Sequence, residues 1–263
     1  MSTLTGCIQG IGMLGPGIAD WQAARALLAS EQPYVAAPTV LPPPAVLPPA
    51  ERRRAGRVIR LALAVGAEAL GASADARLLP TVFTSSGGDG DNCHELCVSL
   101  ASGDRQISPT RFHNSVHNAA AGYWSIAYDC TRASTSLCAG DASFGAGLVE
   151  ALSQLACGAP AVLLLAYDAN YPQPLYAMRP IPDALGVALL LVAPASAPDL
   201  PRLQVALSDA PAAPMEQAAF ESMRASIPAA RSLPLLERLA QRRAGTVILD
   251  YLDTARLAVE VQP

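Results

Sequence analysis

Short apolar runs alternate along the chain with stretches whose apolar residues recur at helical spacing. Runs at 5–13 and 161–167 are bounded by Gly, Pro or polar residues and predict strands buried on both faces. The stretch 51–70 carries an apolar stripe of period 3.6 and ends at Gly71, so it predicts one long helix with a glycine C-cap.

The same patterns predict the other elements of the chain. Further strands are expected at 79–85, 133–137, 186–192, 203–208, 247–251 and 256–261. Further helices are expected at 20–28, with Asp20 as the N-cap, and at 92–100, 115–128, 141–156, 215–226 and 233–243. Strands that alternate with helices favour a layered α/β/α fold with a mainly parallel central sheet.

A proline-rich segment interrupts this alternation at 33–49, where seven prolines occur. Proline fixes φ and lacks a backbone donor, which favours an extended, polyproline-like conformation over helix or central strand. We therefore predict a surface connector within a single domain that spans 1–263.

Composition narrows the class of protein. The chain has 263 residues, of which 51% are hydrophobic and 15% charged, and all of its 18 positive charges are arginine. The net charge of −4 argues against nucleic acid as a partner. The sequence has no apolar run of about 18 residues and does not begin like a secretory signal, so we expect no membrane insertion. Six scattered cysteines predict a cytoplasmic protein with reduced thiols.

The segment 114–151 carries the strongest chemical signal. It reads NSVHNAAAGYWSIAYDCTRASTSLCAGDASFGAGLVEA and predicts a helix, a strand, a sharp turn of small residues and a second helix. Asp141 stands at the predicted start of the second helix. An aspartate there is expected to act as an N-cap and to suit the helix dipole.

This segment resembles the N-terminal half of the β-ketoacyl synthases, which have the thiolase fold. Asn118, Ala121-Gly122, Arg132-Ala133-Ser134 and Ala139-Gly140 fall in the order of that family's pattern. Counting forward without a gap from Ala121-Gly122 brings the place of the catalytic cysteine to Asp141. The resemblance implies a thiolase-like fold with one complete repeat and a truncated or remnant second half.

The family's two catalytic histidines lie in its second repeat, where they stabilise oxyanions during condensation. The histidines of this chain are at 94, 113 and 117, all upstream of Asp141. The resemblance therefore implies a catalytically silent subunit of the chain-length-factor type. Such a subunit forms a heterodimer with an active β-ketoacyl-ACP synthase and shapes its acyl pocket. In its short length the chain resembles relatives from aryl polyene and xanthomonadin pigment clusters. The resemblance implies no cofactor.

The resemblance also assigns surfaces. The heterodimer interface is expected on the strand around Thr135 and Ser136 and on the helix around Asn118. Residues expected to bound the acyl pocket are Tyr123, Trp124 and Phe144. Ordinary core packing is the alternative for the first two, because large rings fill cores. Arg52, Arg53 and Arg54 could dock an acidic acyl carrier protein, or form a solvated helix start.

Two other functions stay open. The chain could be an autonomous acyl-thioester enzyme that uses Cys138 as a displaced nucleophile or Asp141 as an aid to decarboxylation, although burial as a packing residue suits Cys138 better. It could also be a zinc-stabilised binding module, because Cys93, Cys97, His113 and His117 form two i,i+4 pairs.

Overall fold

One mixed sheet of eight strands runs through residues 3–72 and 74–263, which the computed structural model describes. The strands are β1 (Leu4–Leu14), β2 (Thr81–Thr84), β3 (Ser134–Leu137), β4 (Ala161–Asp168), β5 (Leu185–Val192), β6 (Arg202–Ser208), β7 (Gly245–Leu249) and β8 (Arg256–Gln262). The helices are α1 (Trp21–Leu28), α2 (Pro49–Arg54), α3 (Arg57–Leu70), α4 (Gly90–Ala101), α5 (Pro109–His113), α6 (Ala119–Tyr128), α7 (Ser143–Ala156), α8 (Leu175–Met178), α9 (Ala218–Ser226) and α10 (Leu233–Ala240).

The sheet order is β3-β2-β4-β5-β1-β6-β8-β7. Only the neighbours of β2 pair with it in parallel, and the other five neighbouring pairs of this sheet are antiparallel. The prediction of a mainly parallel sheet is therefore wrong. A wholly apolar run indicates that a strand is buried on both faces of the sheet. Burial does not specify whether neighbouring strands are parallel or antiparallel.

Helices cover both faces of the sheet, which confirms the layered α/β/α arrangement. On one face, α3 and α6 pack through residues such as Leu61 and Trp124. On the other face, α7 lies against β1, β2 and β4 and contributes Leu148 and Leu152. Each face of the sheet thus has its own hydrophobic core, and the sheet separates the two cores.

The contact between β1 and α3 depends on glycine. A Cβ atom at Gly12 would lie 2.0 Å from the carbonyl oxygen of Val65, and one at Gly10 would lie 2.0 Å from that of Ala69. Backbone atoms cannot turn aside as a flexible side chain can. These glycines therefore set how closely the helix approaches the strand.

The helix predicted at 51–70 is two helices, α2 and α3, with a break at Ala55-Gly56. Ala55 has an extended backbone, and Gly56 lies against the carboxylate of Asp89, where a Cβ atom would be 2.6 Å from Oδ2. A tertiary contact therefore places the break, and the apolar stripe alone did not indicate it.

The proline-rich segment forms no regular element before α2, as its composition predicts. Side chains of the neighbouring helices hold it in place: Arg60 donates to the Leu41 carbonyl at 2.7 Å, and Arg52 donates to those of Ala45 and Leu47 at 2.9 and 3.0 Å. The extended segment is thus tied to the surface of the domain.

The residues after 201 extend the same sheet. Strands β6, β8 and β7 continue it beyond β1, and α10 packs on the face that α7 covers. Phe220 and Val247 share one hydrophobic cluster with Ile8 and Leu148, so this part is packed into the main body. No helix among the described residues has both the length and the apolarity needed to cross a bilayer.

Candidate functional site at the turn after β3

The parallel strands β3, β2 and β4 end at one edge of the sheet, and the chain's polar cluster gathers there. Strand β3 runs into the turn that holds Asp141, β2 runs into Ser85 and Ser86, and β4 ends at Asp168. The carboxyl ends of parallel strands are where α/β folds place their sites. We call the turn from Cys138 to Ala142 the elbow.

Asp141 lies in a 3₁₀ turn, Gly140–Ala142, that precedes α7. The N-cap of α7 is Ala142, which makes no side-chain cap bond, so the prediction that Asp141 caps this helix is wrong. The extra turn points its carboxylate away from the helix amides and toward two arginines. Asp141 forms ion pairs with Arg179 and with Arg231, the latter at 3.0 Å.

The ion pairs continue from Asp141 into the C-terminal part of the chain. Arg231 also pairs with Asp250 at 3.4 Å, and Asp250 pairs with Arg224 at 2.6 Å. Arg224 pairs in turn with Glu221 at 2.7 Å, and this arginine holds the pKa of Glu221 down at about 2. Six charges of alternating sign thus join the elbow to the segment after α8, the turn before α10, the end of β7, and α9.

Two cavities flank the elbow, and both are lined by Asp141 and Arg231. One has a volume of about 650 Å³ and is otherwise lined by the 250–256 turn. The other, of about 370 Å³, lies between Arg179 and the end of α9. The ion pair therefore stands between two open spaces at the place that the sequence assigns to a nucleophile.

Asp168 is the buried carboxylate of this region. It accepts hydrogen bonds from the Ser86 N–H (2.8 Å) and Oγ (2.6 Å), from Ser85 Oγ (3.3 Å) and from the Ala229 N–H (2.9 Å). Burial raises the pKa of Asp168 to about 6, and the hydrogen bonds oppose that rise. Sequence reasoning missed this residue, although a single acidic residue at the end of an apolar strand is a usable signal.

Cys138 lies past the end of β3 and is exposed, so the prediction that it is buried is wrong. Its thiol donates to the Ser86 carbonyl oxygen at 3.1 Å. A carbonyl oxygen does not remove a proton at neutral pH, so this contact does not activate the thiol.

The proposed zinc ligands do not come together. His113 packs against the ring of Tyr123, with centroids 6.2 Å apart, and His117 bonds through Nε2 to the Ser85 carbonyl oxygen at 3.1 Å. Cys93 and Cys97 are exposed on α4. In the described ranges, no group of three or more His, Cys, Asp or Glu residues could hold a metal ion. The hypothesis that Cys93, Cys97, His113 and His117 bind zinc is therefore wrong.

The large rings expected at the pocket are inside this chain. Tyr123 and Trp124 are each 1% exposed, and Trp124 packs against Phe83 and Tyr128 at centroid distances of 6.3 and 4.3 Å. Phe144 is buried in the core on the opposite face. For Tyr123 and Trp124 the core-packing alternative therefore describes the structure.

The residues predicted for an interface lie at the surface. Asn118 is exposed next to the start of α6 and makes no side-chain cap bond. Strand β3 is an edge strand that pairs only with β2. The carbonyl oxygens of Ala133 and Leu137 accept from β2 residues, so by alternation the backbone groups of Ser136 point to the open edge.

The three arginines differ in their contacts. Arg52 donates hydrogen bonds to the proline-rich segment, as described above. Arg54 forms an ion pair with Glu51 at 3.0 Å. Arg53 is exposed, and among the described residues its side chain has no ion-pair partner. Of the three, Arg53 is the one whose charge faces solvent unpaired.

These features define a ketosynthase-type, thiolase-like fold. The chain belongs to the family described as β-ketoacyl synthase, N-terminal domain, whose sequence profile matches residues 21–250. No curated protein matches the chain.

Solved structures show the same fold. A ketosynthase (ApeO) in complex with its chain length factor (ApeC) from Xenorhabdus doucetiae matches with 24% identity and a TM-score of 0.75, over 98% of this chain and 99% of that one. The ishigamide ketosynthase/chain length factor matches with 17% identity and a TM-score of 0.72, over 98% and 99%. The AntDE:AntF complex, a type II ketosynthase with its acyl carrier protein, matches with 11% identity and a TM-score of 0.74, over 99% of each chain.

Proposed function

We propose that this chain is a catalytically silent, ketosynthase-like subunit of the chain-length-factor type. It pairs with an active β-ketoacyl-ACP synthase in the cytoplasm and helps to shape that enzyme's acyl pocket. The observation that carries this proposal is the elbow, where Arg179 and Arg231 hold the carboxylate of Asp141, the residue to which the ungapped count in the sequence assigns the nucleophile's position. A paired carboxylate is a poor acyl acceptor, and the sequence supplies no histidine downstream of it.

The nature of the similar structures supports a partner. Two of them are described as a ketosynthase with a chain length factor, and a third contains an acyl carrier protein. These three matches cover 98% or 99% of this chain and 99% of each matched chain. The aryl polyene type of product is proposed on the sequence resemblance to that group of short relatives.

The surface at the β3 edge supports a place for that partner. The open edge offers unpaired backbone groups, which readily pair with a strand of another chain. Phe112 and Val116, which precede α6, are 66% and 53% exposed. Apolar side chains exposed close together are typical of a surface that a partner covers. Arg53 is the best-placed cation for an acidic carrier protein.

Co-purification tests the proposal. The partner to use is a synthase that is encoded beside this chain and has an intact cysteine and both histidines. Ser136→Pro is the most selective variant, because it removes a backbone N–H from the open edge and leaves the hydrogen bonds between β3 and β2 intact. We expect association to weaken at least about tenfold, with an unchanged circular dichroism spectrum. Ser136→Ala is the matched control and should bind normally. Two separate, fully active proteins in size-exclusion chromatography would contradict the proposal.

A further inference from the structure

The Asp141 carboxylate is ion-paired with arginines of two other segments, and one of these arginines also reaches a third segment. Arg179 follows α8, and Arg231 belongs to the 3₁₀ turn Pro228–Ser232. Arg231 reaches Asp250 as well as Asp141, so this one guanidinium joins the elbow to the end of β7. A residue placed only to cap a helix would not make these contacts.

The middle of this ion-pair network is its most buried part, and both ends are more exposed. The Asp141 side chain is 49% exposed, that of Arg231 is 22% exposed, and those of Arg224 and Asp250 are 15% and 14% exposed. A buried pair is costly to break, because one charge is left without a partner, whereas an exposed pair is easily opened. The network is therefore anchored at Arg224–Asp250 and can open at Asp141.

The turn that carries Arg231 has a second, independent attachment. The Ala229 N–H donates to the buried carboxylate of Asp168 at 2.9 Å. The turn thus stays on the sheet whether or not Asp141 is paired. What Asp141 controls is the space between its own turn and Arg179 and Arg231, where the cavities of about 650 and 370 Å³ meet.

We infer that Asp141 is a latch, an ion-pair contact that keeps the open space at the elbow divided into two cavities. Loss of the carboxylate leaves two arginines without their shared partner, and they separate by mutual repulsion. The two cavities then open into one. This inference depends only on the ion pairs and does not require the proposed heterodimer.

Hydrogen exchange of the full chain tests the latch through amides that are hydrogen-bonded around it. In Asp141→Asn, the amides of Ala142, Arg179 and Ile181 should exchange about tenfold faster, as expected for local opening. The Ala229 amide, held by Asp168, should not change. Asp141→Glu should restore protection, because it keeps the charge. About 0.5 M NaCl should imitate the asparagine variant in the unaltered protein.

Asp75→Asn is the matched control, since Asp75 is similarly exposed and pairs only with Arg77, two residues away. It should leave exchange at the elbow unchanged. Unaltered exchange at Ala142 and Arg179 in Asp141→Asn would overturn the latch. Equal acceleration at Ala229 would also overturn it, because that result means general loosening. Either result leaves the heterodimer proposal untouched.

Discussion

At the scale of single residues, two carboxylates give the site its character. Asp141 is partly exposed and shared by two arginines, while Asp168 is buried and surrounded by hydrogen-bond donors. The same chemical group therefore has different surroundings at two positions that lie at one edge of the sheet. Both can be tested by one-residue changes.

Asp168 should make stability depend on pH. Its folded pKa of about 6 lies above the ordinary value of 3.8, so its contribution is present below about pH 4 and is lost as the pH rises through 6. Between pH 4.5 and 7, the free energy of unfolding should fall by about 2 kcal/mol more than it does in Asp168→Asn, measured by urea denaturation. A difference of the opposite sign would contradict the raised pKa. Glu221, with a lowered pKa of about 2, acts in a lower pH window.

Restoring a thiol at the elbow should not restore condensation. In Asp141→Cys, built on Cys138→Ala to remove the exposed thiol of the same turn, two neighbouring guanidinium groups should favour the thiolate. We expect rapid alkylation of the new thiol by iodoacetamide, seen by mass spectrometry. We expect no condensation product from acyl and malonyl carrier proteins, because the chain has no histidine after position 117. A ketoacyl product from this variant alone would disprove the silent-subunit proposal.

At the scale of elements, close backbone approach decides how α3 lies on the sheet. The glycines of β1 meet helix carbonyl oxygens, whereas the glycine in the middle of α6 has open space around it. One residue type therefore has opposite structural roles in two elements. Only the packed structure distinguishes them.

Gly12→Ala should destabilise the protein by about 1–3 kcal/mol or more, because the new Cβ would lie 2.0 Å from the Val65 oxygen and α3 would have to move. Gly122→Ala is the matched change in a helix. It should be neutral or stabilise by up to about 1 kcal/mol, since nothing lies within 4 Å of the added atom. Thermal unfolding of both variants provides the comparison, and equal midpoints would show that the β1–α3 contact tolerates the extra methyl group.

At the scale of the whole molecule, the proposed partner would turn an exposed surface into part of a pocket. Phe112 is an exposed ring in the segment before α6, while Tyr123 and Trp124 are buried within this chain. Exposed residues such as Phe112, rather than the buried rings, are therefore the ones that could contact the acyl chain in the partner's pocket. The buried rings hold α6 against the sheet.

Phe112→Ala should change the length distribution of products made by the reconstituted pair, because a large ring is removed from the proposed interface. Liquid chromatography with mass spectrometry of the products measures this. Leu207→Ala is the matched control, because Leu207 is 58% exposed on β6, far from β3 in the sheet order. An unchanged distribution with normal pairing would remove Phe112 from the proposed pocket.

Local patterns in the sequence determined most elements, the layered fold and the place of the elbow. Strands β1 and β4 follow from their apolar runs and α1 from its Asp20 cap, which accepts the Ala23 N–H at 2.7 Å, because these signals act between neighbouring residues. The family's order of motifs also placed Asp141 at the nucleophile's position.

Contacts between distant residues were decided only by the tertiary structure. The direction of most strands and the burial of Asp168 depend on how the elements pack together. The break at Gly56 depends on Asp89, 33 residues away, and Asp141 pairs with Arg179 and Arg231, which are 38 and 90 residues away. No local periodicity encodes such a pair, because either charge alone is equally compatible with solvent. The chain's sequence therefore specifies the turn, and its packing specifies what the carboxylate in that turn does.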